Sequence, residues 1–136
     1  MKQCFVILLL ALSVVGISTA QISVIAHKSV SEASVSVSKV SSIFSLVETK
    51  WSDGSKIIVF DQNGDAKKGF YAGIGKDPQS IKKEWMKKQL TGEAKAPETV
   101  ASDADVIAKV SSTPGSIGYV NSSNVGGGVK VITEIK

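Results

Sequence analysis

Pro114-Gly115-Ser116-Ile117-Gly118-Tyr119-Val120 is the stretch that decides the fold of this chain. Proline fixes φ and glycine tolerates a positive φ, so Pro114-Gly115 reads as a turn. Ile117, Tyr119 and Val120 follow as a buried strand, and Gly118 leaves a place where another backbone can come close. Immediately upstream, Ser102 to Ser112 reads as a capped helix. Ser102 and Asp105 make a capping-box-like pair, and Val106, Ile107 and Val110 form its apolar stripe.

Downstream lie Asn121-Ser122-Ser123-Asn124, three consecutive glycines from Gly126 to Gly128, and a final strand, Val129 to Ile135. The glycines lack the lysine and hydroxyl that a phosphate-cradling P-loop needs at fixed spacing, so they read as a flexible connection.

Toward the N-terminus, Ile22 to Ala26 is a short apolar strand. Residues 29–38 alternate serine with valine or alanine, which suits either a strand or a serine-rich connection; the connection is favoured because it leads into a helix capped by Ser38, with Val40, Ile43, Phe44 and Val47 at helical spacing and an end near Glu48. Lys56 to Phe60 is rich in β-branched residues and suits a strand covered on both faces. Asp61-Gln62-Asn63-Gly64-Asp65 reads as a turn, with Asp65 capping a helix from Ala66 to Ala72 that buries Phe70 and Tyr71. Asp77-Pro78 opens a stronger helix, with aspartate at the cap and proline at the first helical position. Ile81, Trp85 and Met86 form its apolar stripe, continuing loosely to Leu90. Lys82, Lys83, Lys87 and Lys88 fall mostly on the other side. Such a face can attract nucleic acid or anionic lipid, but two lysines per turn are ordinary on a solvated face, and a solvated face is expected here. Thr91-Gly92 ends the helix, and Glu98-Thr99-Val100 is a short strand. This alternation predicts an α/β domain with a mostly parallel sheet and helices on its faces.

The first twenty residues stand apart. Lys2 gives a positive start, Phe5 to Ile17 is apolar, and Ser18-Thr19-Ala20 places small residues where a signal peptidase needs them. The apolar run is short of the ~20 residues of a membrane span. Gln21 stands where a lipoprotein would need cysteine. The expectation is a signal peptide over residues 1–20, one domain over residues 21–136, and a periplasmic or secreted product.

The chain has 136 residues, a formal charge of +4, one cysteine (Cys4) and one histidine (His27). Its basic residues are all lysine, so the planar fork with which arginine grips phosphate is absent. With no cysteine past residue 20, no nucleophile elbow and no metal-ligand cluster, neither an enzyme nor a cofactor is expected. Asp61 and Asp65 could pair as carboxylates on one loop, although loop carboxylates usually form turns and caps.

In order and spacing, several of these motifs resemble the second lobe of the phosphate-binding proteins that serve ABC transporters. They are Ile43-Phe44 with Lys50-Trp51-Ser52-Asp53, Ile57 to Phe60 with Asn63-Gly64, Trp85, Thr91-Gly92, Ser102 to Ala108, and Pro114 to Val120. The similarity spans roughly residues 22–134. It implies a single three-layer α/β lobe of the type 2 periplasmic-binding-protein-like fold, with a mixed, mostly parallel sheet. It further implies solute binding at the loop carrying Asp61, Asn63, Gly64 and Asp65, with phosphate or another small oxyanion as ligand. In the family that loop carries an arginine and then a Gly-Ser-Gly-Thr run. Here Phe60 stands at the arginine, and Asn63, Gly64, Asp65 and Ala66 stand at the run. Both hydroxyls are missing. Asp65 adds a negative charge, which costs on the order of 1 kcal/mol against an anion a few Å away.

The family also closes two lobes on its ligand, whereas this chain has length for one. The implication is weak binding, or binding completed by a homodimer or by an envelope or transporter protein. The alternative is a non-catalytic cell-envelope interaction module that keeps the fold without the ligand. Neither nucleic acid nor a stable membrane span after signal cleavage is expected.

Overall fold

The computed structural model describes residues 21–136, so the signal peptide expected over residues 1–20 lies outside the described residues. The chain forms β1 (Ile22–Ala26), α1 (Val37–Phe44), β2 (Ile58–Gln62), α2 (Ala66–Gly73), α3 (Pro78–Leu90), β3 (Glu98–Val100), α4 (Asp103–Ser112), β4 (Ser116–Asn121), a 3-10 turn (Ser122–Asn124) and β5 (Lys130–Ile135). The sheet order is β3-β2-β4-β1-β5. β2 pairs parallel with β3 and β4, and β1 pairs antiparallel with β4 and β5. Four strands therefore share one direction and β1 alone opposes them. This is the mixed, mostly parallel α/β sheet that the sequence predicted.

The period of two along each strand divides the core into two layers. Val24, Val59, Ile117 and Tyr119 face one side with Phe44, Phe70, Ile81 and Trp85 of α1, α2 and α3. Ile25, Phe60 and Val120 face the other with Val106 and Val110 of α4. The larger layer centres on aromatic packing: the Phe70 and Tyr119 rings stack at 3.8 Å, and Phe44 meets Phe70 edge-on at 4.6 Å.

Pro114-Gly115 forms a type II turn. Ser116 N donates to Thr113 O at 3.2 Å, and Gly115 has φ 78°, which a side chain would strain. The Gly115 carbonyl accepts from Trp51 Nε1 at 2.9 Å and from Ile58 N at 3.2 Å, so the turn also aligns the start of β2. Gly118 admits a helix rather than a second backbone. A Cβ there would lie 2.6 Å from Val106 Cγ1 of α4.

Three local expectations are corrected. α1 is capped by Ser36, whose extended backbone lets its side chain accept from Lys39 N at 3.1 Å; Ser38 lies inside the first turn. It ends at Phe44 because Leu46 adopts φ 60°, which reverses the chain and leaves Val47 69% exposed. Lys88 Nζ holds this reversal by donating to Ser45 O at 3.2 Å and Leu46 O at 3.0 Å. β2 runs two residues further than expected, so Asp61 and Gln62 belong to the strand, and the turn proper is Asn63 to Asp65. On α3, Ile81 and Trp85 are buried, but Met86 is 65% and Leu90 82% exposed. They point away from the core, not along it.

Candidate functional site

β2, β3 and β4 are parallel, so their carboxyl ends meet at one edge of the sheet. β3 and β4 flank β2 on opposite sides, and the chain leaves that edge into α2 and into α4 on opposite faces. A crevice opens where α/β sheets place ligands, outside strand ends at a change of winding direction. It has a volume of about 560 Å³ and is lined by Gln62, Gly64, Asp65, Ser102, Asp103, Asn121 and Asn124, among others. A second, shallower groove of about 820 Å³ adjoins it around α2. That groove shares Gly64 and Asp65 and adds Lys67, Lys68 and Lys76.

The four residues picked from the sequence separate. Gly64 and Asp65 line the crevice. Asn63 is exposed in the loop, where its Oδ1 accepts from Lys67 Nζ at 3.2 Å. Asp61 is fully buried in β2. Its Oδ1 accepts from Tyr71 OH at 3.0 Å and from Tyr119 OH, and the Lys67 ammonium lies 3.6 Å from Oδ2. Burial, and then the Asp61 charge, push both phenols far above their ordinary ionisation, so they remain hydrogen-bond donors. Asp61 is thus an anchor between β2, α2 and β4. Asp65 stays exposed in the turn, so the two aspartates form no carboxylate pair on one loop.

Gln62, Asp103, Asn121 and Asn124 were not singled out from the sequence. Gln62 Nε2 donates to Asp103 Oδ1 at 2.8 Å and to Tyr119 O at 2.6 Å. Both partners are acceptors, which fixes the orientation of the amide. Its Oε1 is buried without a partner and faces Gly64, where a Cβ would come within 2.6 Å of it. Glycine is therefore the residue that lets this loop close over Gln62. Asp103 Oδ2 accepts from Asn121 N at 3.0 Å, Asn121 Nδ2 at 3.0 Å and Asn124 Nδ2 at 2.9 Å. Burial acts to raise the Asp103 pKa, but the hydrogen bonds from Asn124, Gln62 and Asn121 outweigh it and hold the carboxyl below its ordinary range. The signal for them in the sequence is position: a carboxylate one residue after a helix cap, one asparagine at the end of a strand and another just past it.

The two helices that open on the crevice differ at their first turns. Ser102 Oγ caps α4 by accepting from Asp105 N at 3.4 Å, and Asp103 and Asp105 add negative charge there. α2 has Asp65 at its cap position, with no side-chain capping bond and no acid in its first turn. The positive end of the α2 dipole is thus uncapped and bordered by lysines. Among the described residues no group of histidine, cysteine, aspartate and glutamate could hold a metal, and no helix is long and apolar enough to cross a membrane.

No protein-family model and no curated protein matches the chain. Solved structures do match it in fold. A putative phosphate ABC transporter substrate-binding protein with bound phosphate from Clostridium perfringens superposes with TM-score 0.69 at 16% identity, covering 84% of this chain and 45% of that one. An ABC-type phosphate transport receptor from Vibrio cholerae gives 0.66 at 15% identity, with 84% and 46% covered. PstS from Borrelia burgdorferi gives 0.61 at 16%, with 84% and 47% covered. The chain spans about half the length of each of these structures, and its fold is similar to that half.

Proposed function

We propose that this chain is a non-catalytic, extracytoplasmic solute-binding lobe that takes a small oxyanion such as phosphate, weakly, at the start of α2. The observation that carries the reading is the uncapped N-terminus of α2 at the carboxyl edge of the sheet. The N–H groups of Gly64, Asp65 and Ala66, which make no backbone hydrogen bond, and the helix dipole offer an anion its partners, while Lys67 N is taken by Gly64 O at 3.2 Å. Lys68 in the adjoining groove adds positive potential, which Asp65 partly offsets, while the Lys67 charge is held by Asp61. Buried Phe60 brings no charge to the site, and one lobe leaves the ligand largely in water, so millimolar affinity is expected unless a second copy or an envelope protein covers the crevice.

Titrating phosphate into isotopically labelled protein tests this. Saturable amide shifts centred on Gly64, Asp65 and Ala66 support it. The absence of any shift there at tens of millimolar phosphate rejects ligand binding at this site.

The second reading is an interaction module with no small ligand. Asp103 favours it, because it already accepts from the Gln62, Asn121 and Asn124 donors of the crevice. Capture of one envelope protein, unaffected by phosphate, would support this reading over the first.

A further inference from the structure

The outward face of α3 carries two large apolar side chains that no part of the described fold covers. Ile81 and Trp85 point into the core, and Lys88 turns inward to the carbonyls of Ser45 and Leu46. At 3.6 residues per turn, Lys83, Met86 and Leu90 then line up on the opposite side at i, i+3 and i+7. Lys82 and Lys87 flank that line. Met86 is 65% and Leu90 82% exposed. Among the described residues none of Lys82, Lys83 and Lys87 forms an ion pair.

We infer that this face of α3 docks on an anionic lipid surface. Apolar side chains between unpaired lysines match a bilayer interface, where ammonium groups meet lipid headgroups and apolar groups enter the acyl boundary. The charges complement an anionic partner on a chain whose net charge is +4. Nucleic acid would satisfy the lysines but offers no apolar phase for Met86 and Leu90. A second copy of the chain would bring three more lysines against these three. Flexible lysine stems let the charges stay at the headgroups while the apolar pair goes deeper. The contact is peripheral and independent of the crevice.

The test uses the full chain with Cys4→Ser and Met86→Cys, carrying an environment-sensitive fluorophore at the new thiol. A parallel sample carries the label through Ser52→Cys, in an exposed turn. This local readout separates docking of α3 from any insertion by residues 1–20. With phosphatidylglycerol vesicles, the label on α3 shifts to the blue, while the label in the turn does not. Phosphatidylcholine vesicles give no shift, and half-molar salt reverses the effect. Lys82→Glu, Lys83→Glu and Lys87→Glu together weaken the vesicle response by roughly a hundredfold or more. Leu90→Ser weakens it by roughly tenfold.

The inference is overturned by no shift at α3, by equal shifts at both labels, by an equal response to neutral vesicles, or by a response indifferent to the lysine reversals. A blue shift that appears without lipid as protein concentration rises would assign the face to self-association. One produced by nucleic acid in place of vesicles would assign it to that polymer.

Discussion

α2 and α4 begin beside each other at the same edge of the sheet, yet they handle their exposed N–H groups in opposite ways. α4 has a serine cap, two acids in its first turn, and a carboxylate that accepts four hydrogen bonds from its surroundings. α2 has an aspartate that caps nothing, a glycine pressed against Gln62, and lysines along its flank. The difference separates a helix start built for stability from one left open to solvent. In one crevice, polar residues that look alike in sequence therefore have unlike tasks.

Asp103→Ala should give the largest effect. It takes one acceptor from each of the Gln62, Asn121 and Asn124 amides and should lower unfolding stability by about 1–3 kcal/mol in urea denaturation. A loss below about 0.5 kcal/mol would remove the claim that α4 is the structural member of the pair.

The same carboxylate predicts a pH dependence of known sign. Its folded-state pKa is depressed below the ordinary 3.8, so its stabilisation is present above the unfolded pKa and is lost as pH falls through the folded one. The stability difference between the native protein and Asp103→Asn should therefore be constant near neutrality and shrink below about pH 4. A difference that grows with acidity would contradict this assignment.

Ser102→Ala should cost less, about 0.5–1 kcal/mol, because it removes one long capping bond. Asp65→Ala is the smallest change in stability, within about 0.5 kcal/mol, since no capping bond is lost. Its signature belongs to binding: removing the like charge should tighten the phosphate response by roughly fivefold. If Ser102→Ala and Asp65→Ala prove equally destabilising, the contrast between the two helix starts fails.

Element type and order were legible because turn and cap residues mark where the apolar patterns begin and end. Pro114-Gly115 required a turn with a positive φ, and Asp77-Pro78 required a helix start; both are where they were expected. The end of β2 was less legible. Asp61 and Gln62 look like turn residues, but Tyr71, Tyr119 and Lys67 attend to Asp61, and a tertiary network of that kind leaves no local pattern. Met86 resembled a core residue because it adjoins Trp85, although one step along a helix turns a side chain by about 100°. Of the residues lining the crevice, the resemblance in spacing points to Gly64 and Asp65, whereas Asp103 has in the sequence only the look of a first-turn helix residue. Its partners arrive from 18 and 21 positions downstream and 41 upstream.

The position of β1 between β4 and β5 governs the order of assembly. Ser23 reaches Ser122 across 99 positions, and Ile22 registers against Ile135. β1 thus waits for strands made about a hundred residues later, and this part of the sheet cannot close during synthesis of the intervening helices. Such non-local pairing slows folding and keeps β1 unpaired until β4 and β5 are available.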